Sequence, residues 1–123
     1  MTEEERKELF KQYLDKTTFR IELNWIYEKV SHQAWEASFN MTIHDSVSIS
    51  DANEYVKDKI ADPQFYEMVE QLMKKMLPND FELLDDDWCI MAEIFGRDKI
   101  YPSYKLVSMA DLNDYLRACN AAE

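Results

Sequence analysis

A scarcity of chain-breaking residues is the feature that most constrains how this sequence folds. One glycine and three prolines occur among 123 residues, which leaves few of the residues that tight turns between β-strands need. Elsewhere, apolar residues recur at intervals of three and four, the spacing of one helix face. The sequence therefore predicts a mainly α fold, a compact bundle of about five or six helices. It also allows a short two-stranded β ribbon between residues 42–49 and 99–108, which are rich in β-branched and aromatic residues.

Local signals mark where several helices begin and end. Thr2 and Glu5 form a capping-box pattern ahead of a helix predicted over residues 3–15. Ser108 is expected to begin the last helix in a similar way. Gly96 follows an apolar stripe at the point where a helix commonly ends in a left-handed residue. These elements are expected to form a single compact domain over residues 1–123.

Two helices are predicted in the middle of the chain, with a break between them. Ser50 or Asp51 is expected to cap the first, which ends near residue 61. Asp62 and Pro63 are expected to begin the second, because aspartate is favoured at the N-cap and proline at the first helical position.

Residues 18–44 permit two interpretations. Phe19, Ile21 and Leu23 alternate as they would on a β-strand, whereas Phe19, Leu23 and Ile26 also fit helical spacing. A hairpin needs a turn near the middle of this range, where the sequence has no glycine, proline or asparagine. A helix is therefore favoured, and an α+β fold with an antiparallel hairpin over residues 18–44 is the alternative.

Net charge is the strongest global property of the chain. The formal charge is −11 at pH 7, and it is concentrated in residues 36–70 and 78–98, each of which has a balance of −6. Such a charge repels phosphate, so neither nucleic acid nor an anionic membrane is expected as a direct partner. The amino-terminal residues lack the basic and apolar stretches of a secretory signal, so a cytoplasmic location is expected.

Two groups of carboxylates are the candidate partner-binding residues. The first group follows helical spacing and is expected on one helix face. The second group lies just before, and in the first turn of, the helix predicted to contain Trp88. One carboxylate is enough to cap that helix, so the others exceed what capping needs. An acidic surface that serves only solubility predicts the same pattern. The candidates are Asp51, Glu54, Asp58, Asp62, Asp80, Glu82, Asp85, Asp86 and Asp87.

Motifs for catalysis or cofactor binding are weak. His44, which is next to Asp45, and Cys89 are the candidates for general-base or nucleophilic chemistry, but the aspartates before Cys89 disfavour its thiolate. Cys89 and Cys119 are expected to be reduced thiols in the core. The spacing of an EF-hand, a zinc site or a phosphate-binding glycine loop is missing from the sequence. No enzymatic activity, metal or cofactor is expected.

Acidity combined with aromatic side chains favours a role in binding a basic protein. Aromatic anchors within a charged rim are typical of protein interfaces. In size and charge alone, the chain is similar to phage anti-restriction and anti-CRISPR proteins and to bacterial nuclease-immunity proteins. The hypothesis is an inhibitor that occupies a basic nucleic-acid-binding or nuclease surface by charge mimicry. The alternatives are an acidic adaptor or regulatory subunit that binds through apolar surface, and a small thiol- or histidine-dependent enzyme.

Overall fold

The computed structural model describes residues 1–122, which form helices joined by loops and contain no strand. A π-helical turn, Lys57–Ala61, joins two of the helices without a break, so the described residues contain six helical segments. The mainly α prediction is confirmed. No helix over residues 1–122 has the length and apolar character needed to cross a membrane. The helices are α1 (Glu3–Tyr13), α2 (Lys16–His44), α3 (Ile49–Val56), α4 (Asp62–Met76), α5 (Asp87–Phe95), α6 (Arg97–Ile100) and α7 (Met109–Ala122).

The two β alternatives are wrong. Residues 18–44 lie within the single helix α2, whose buried side chains include Phe19, Leu23 and Ile26. Ile21, which would share a strand face with Phe19, is 63% exposed, so burial follows the helical period. The expected ribbon is also absent from the described residues, because its two stretches form helix ends and connecting loops instead of paired strands.

Contacts between residues group the chain into two compact units, neither of which is continuous in sequence. Unit 1 consists of residues 1–28 and 64–103, and unit 2 consists of residues 29–63 and 104–123. The single domain over residues 1–123 stays a prediction.

Aromatic rings form much of the core of unit 1. Phe19 stacks on Phe95 with ring centroids 4.7 Å apart, and Tyr27 lies 4.7 Å from Phe65. Phe10, Phe19 and Phe65 are completely buried. Burying a side chain of this size contributes about 2 kcal/mol of hydrophobic stabilisation, so these rings are a main source of the unit's stability.

Unit 2 combines an apolar cluster with a buried polar chain. Phe39, Val107 and Leu112 form the cluster. The Ser38 hydroxyl, which is fully buried, donates to Oδ1 of Asn53 at 2.7 Å. The Asn53 amide in turn donates to the Val107 carbonyl at 3.0 Å. These two hydrogen bonds connect α2, α3 and the segment before α7. They also give the buried Ser38 hydroxyl and the Asn53 amide the partners that buried polar groups need.

The predicted caps of the first and last helices are confirmed. Oγ1 of Thr2 accepts a hydrogen bond from the Glu5 N–H at 3.2 Å. Oγ of Ser108 accepts one from the Asp111 N–H at 3.1 Å. In both cases, the side chain satisfies an N–H group that has no partner inside the helix.

The beginnings of α2 and α3 differ from the sequence predictions. Asp15, which was not predicted as a cap, accepts hydrogen bonds from the Thr18 N–H at 3.2 Å and from its hydroxyl at 2.6 Å. These bonds lower the pKa of Asp15, since they stabilise the carboxylate. Helix α3 begins after Ser48, whose Oγ accepts from the Asp51 N–H at 3.2 Å. The prediction of Ser50 or Asp51 as the cap is therefore wrong by two or three residues.

The helix break predicted at Asp62–Pro63 does not occur, because the π turn carries the helix through this point. The Asp62 N–H bonds to the Lys57 carbonyl, five residues earlier. Pro63 has no N–H, and in a regular α-helix its ring would clash with the carbonyl four residues before it. A wider turn immediately before the proline is one way to relieve that clash.

Candidate partner-binding surface

The first group of candidate carboxylates lies in unit 2, on α3 and the turns that follow it. Ala52 and Val56 are completely buried and fix the inner side of α3. Asp51, Glu54 and Asp58 are all exposed. A helix that buries one stripe leaves its other faces in water, so these three carboxylates project into solvent as the sequence predicted.

The three exposed carboxylates have no ion pair within the described residues. The nearest bases in the sequence, Lys57 and Lys59, are also exposed and are not paired within residues 1–122. Residues 51–62 therefore combine four acids with two lysines, for a local balance of −2. Exposed, unpaired carboxylates are the groups that a basic partner can engage without first breaking an internal ion pair.

An aromatic side chain lies among these acids. Tyr55 is 52% exposed. Asp51 is four residues before it and Asp58 three residues after it, spacings that bring side chains together on a helix surface. We call Asp51, Glu54, Tyr55 and Asp58 the α3 acidic face. An arginine or lysine that approaches it meets carboxylates together with an aromatic ring, and both attract cations.

Asp62 is less available than the other three candidates of its group. It is partly buried, and its Oδ1 accepts a hydrogen bond from the Tyr104 hydroxyl at 3.2 Å. The carboxylate therefore already has a partner inside unit 2.

The second group of candidates lies in unit 1, at the loop between α4 and α5. Four of its five members are exposed: Asp80, Glu82, Asp85 and Asp86. Asp86 occupies the N-cap position of α5 but makes no side-chain capping bond there. The two groups of carboxylates belong to different units, and we treat them as separate surfaces.

Asp87 does not lie on the surface. It is 1% exposed and forms an ion pair with Arg6. Arg6 Nε donates to Oδ1 at 2.7 Å, its second nitrogen contacts Oδ2, and the Leu84 N–H also donates to Oδ2, at 2.7 Å. Because both carboxylate oxygens have partners inside the unit, Asp87 anchors the fold and is not part of a partner surface.

Arg6 ties the loop to α1 through further contacts. Its guanidinium donates to the Glu82 carbonyl at 2.9 Å and lies 4.5 Å from the centre of the Phe81 ring. The hydrogen bond to Asp87 is the main reason why the pKa of Arg6 is raised. Sequence reasoning missed this residue, because its partner lies 81 positions away and no local pattern links the two.

The residues considered for catalysis are exposed and scattered. Cys89 and Cys119 are both free and exposed, so the prediction that they are core residues is wrong. His44 is exposed at the last residue of α2. Within residues 1–122, no group of three or more histidine, cysteine, aspartate or glutamate side chains is arranged to hold a metal ion.

Comparison with family models, with curated proteins and with solved structures found no match to this chain.

Proposed function

We propose that the protein binds a basic surface of another protein through the α3 acidic face and inhibits that protein by covering the surface. The observation that supports this proposal is the placement of three exposed carboxylates, unpaired within the described residues, around a half-exposed tyrosine. The partner class is a nucleic-acid-binding protein or a nuclease, since its groove is basic and the carboxylates can take the positions of phosphates.

Electrostatics gives this proposal a measurable signature. A chain of charge −11 attracts a basic partner over a distance of about 10 Å at moderate salt. Binding by this mechanism speeds association and weakens as the salt concentration rises. Nucleic acid competes for the same basic groove, so the inhibitor and the nucleic acid exclude each other.

The test compares two variants of equal net charge. The triple variant Asp51→Asn, Glu54→Gln, Asp58→Asn removes the carboxylates of the α3 acidic face. The control Glu4→Gln, Glu22→Gln, Glu28→Gln removes three exposed acids from α1 and α2. Each immobilised protein is incubated with host lysate, and proteins retained by the wild type are identified, purified and titrated at several salt concentrations, with and without DNA.

The expected result is a basic protein that DNA displaces and that binds the α3 triple variant roughly tenfold or more weakly than the wild type. The control variant is expected to bind within a few-fold of the wild type, because it lowers only the long-range attraction. Equal loss in the two variants would assign the effect to net charge and would reject the α3 acidic face as a site.

The adaptor alternative has its own observation. Met109 and Leu116 on α7 are 61% and 41% exposed, and their spacing of seven residues places them on the same face of the helix. An adaptor that binds through this helix predicts a partner whose affinity is unchanged by salt and by the α3 triple variant, but is lowered by Leu116→Ser.

A further inference from the structure

A shallow cavity in unit 2 is lined by three aromatic and two polar residues. It has a volume of about 350 Å³, and Trp35, Glu36, Phe39, Asn40 and Tyr115 line it. Four of these residues belong to α2 and the fifth to α7. We call Trp35, Phe39, Tyr115 and the carboxylate of Glu36 the aromatic corner.

The rings of the aromatic corner meet at a steep angle. Trp35 and Phe39 have centroids 4.1 Å apart and planes at 89°, whereas Phe39 and Tyr115 are 5.0 Å apart at 23°. The plane of Trp35 is therefore steep to that of Tyr115 as well. Phe39 is 3% exposed at the base of the cavity, and Tyr115 is 37% exposed. The rings of Trp35 and Tyr115 thus line the cavity with their planes at a steep angle to each other.

The charge of the cavity selects the kind of ligand. The Glu36 side chain is 58% exposed, and its Oε1 lies 3.2 Å from Nε2 of His32, one helical turn away. None of the described residues that line the cavity is basic. Aromatic faces carry negative charge density and attract cations, and a carboxylate at the edge adds to this attraction. An anion would be repelled by both.

We propose that the aromatic corner binds the guanidinium group of an arginine side chain that belongs to the basic partner. A guanidinium is planar, stacks on aromatic rings and donates to carboxylate and amide oxygens in its own plane. The carboxylate of Glu36 and the amide oxygen of Asn40 offer such acceptors. The assignment of the arginine to a partner protein rests on the proposed function; the affinity of the cavity for a guanidinium does not.

The direct test uses a small probe, N-acetyl-arginine amide, with N-acetyl-citrulline amide as its neutral counterpart of the same shape. Each is titrated into the ¹⁵N-labelled protein while NMR follows the Trp35 indole N–H and the amides of α2 and α7. We expect saturable shifts confined to these groups with arginine, and an affinity at least fivefold weaker with citrulline. Equal affinity for the two probes, or shifts that do not saturate, would overturn the proposal.

Variants then separate the rings from the charge. Tyr115→Leu is expected to weaken arginine binding about fivefold, whereas Tyr115→Phe keeps the ring and is expected to stay within twofold of the wild type. Glu36→Gln, at an exposed position where folding is not at risk, is expected to weaken it about threefold. Wild-type affinity in both Tyr115→Leu and Glu36→Gln would show that the arginine binds elsewhere.

The same variants distinguish this inference from the proposed function. Suppose that a captured basic partner depends on the α3 acidic face but binds the Tyr115→Leu variant normally. This result would overturn the proposal that an arginine of the partner occupies the aromatic corner, and the proposed function would stand. Conversely, the aromatic corner can bind N-acetyl-arginine amide while the captured partner binds the α3 triple variant as tightly as the wild type. This result would reject the α3 acidic face as the partner site and would support the cation site.

Discussion

Asp87 is the last of three consecutive aspartates, and its environment differs completely from that of the other two. Asp85 and Asp86 are exposed, whereas Asp87 is buried against Arg6. A buried carboxylate is tolerated only where charge and hydrogen bonds compensate the loss of water. The sequence alone does not distinguish the three aspartates, because the arginine that compensates the charge of Asp87 lies 81 positions away.

The Arg6→Met variant is expected to lose about 3 kcal/mol of unfolding free energy, since it leaves the Asp87 carboxylate buried without its partner. The matched control is Lys7→Met, which removes the exposed ion pair between Lys7 and Glu93, formed at 2.6 Å. We expect a much smaller loss there, because water screens an exposed pair. Urea unfolding measures both, and similar losses would contradict the structural role of Asp87.

Among residues 1–122, two have positive φ angles, and they are expected to respond to substitution in opposite directions. Gly96 has φ of 95° and Ser46 has φ of 56°. Gly96→Ala is expected to cost about 1–3 kcal/mol through backbone strain alone, because the added Cβ would lie 3.9 Å from the nearest atom. Ser46→Gly removes such strain and is expected to gain up to about 1 kcal/mol. Thermal unfolding of the two variants checks the signs; a stabilising Gly96→Ala would be inconsistent with the backbone described.

At the level of helices, the π turn accounts for the spacing of the buried residues of α3, the turn itself and α4. Ala52, Val56, Ala61, Phe65 and Val69 are completely buried. Their spacing is four residues except between Val56 and Ala61, where it is five. A π turn accommodates one residue more than an α turn, so the five-residue step across it takes the place of a four-residue step in a regular α-helix.

Deletion of Lys59 is expected to convert the five-residue step into a four-residue step. In the otherwise wild-type sequence, the deletion places Pro63 in a regular α-helix, where its ring clashes with a backbone carbonyl. In a Pro63→Ala background, the clash disappears. We expect the deletion to cost about 2–3 kcal/mol less in that background, as measured by urea unfolding of all four chains. Equal costs would show that Pro63 is not the reason for the π turn.

Local sequence signals predicted some helix ends correctly, although the caps at Asp15 and Ser48, which are also local, were not predicted. The caps at Thr2 and Ser108 and the positive φ of Gly96 follow from residues within one turn. The full length of α2 and the π turn do not follow from such local signals, because both depend on which side chains are buried. Ser46 shows the same limit, since a serine gives no sign of its left-handed backbone.

For the molecule as a whole, two carboxylates link stability to pH. Hydrogen bonds from Thr18 and Lys7 lower the pKa of Asp15 and Glu93 below their ordinary values of 3.8 and 4.5. A lowered pKa in the folded state means that the stabilisation is present above the ordinary value and is lost as the pH falls through the lowered one.

The difference in stability between the wild type and the double variant Asp15→Asn, Glu93→Gln is therefore expected to be constant from about pH 7 to pH 5.5, and to shrink below about pH 4.5. Comparing the two proteins removes the contribution of the other carboxylates. Urea unfolding at several pH values measures the difference, and one that grows with acidity would reverse the sign of the assigned shifts.

Properties that depend on the pairing of distant segments were beyond the sequence. The first group of candidate carboxylates follows from helical spacing, and three of its four acids are exposed in the structure. Exposure of both cysteines and burial of Asp87 were missed, because each depends on which helix faces meet across many residues. The aromatic corner was likewise not predicted, since Tyr115 on α7 stacks on Phe39 of α2, which is distant in sequence.

The alternation of the two units along the chain has a consequence for the order of events on the ribosome. Residues 1–28 emerge first, yet the segment that completes their unit ends at residue 103. The unit of residues 29–63 is completed later, because the counterpart of these residues begins only at residue 104. Unit 1 is thus the first that can close during synthesis, and until then the aromatic side chains of both units are displayed on a nascent chain that chaperones can recognise.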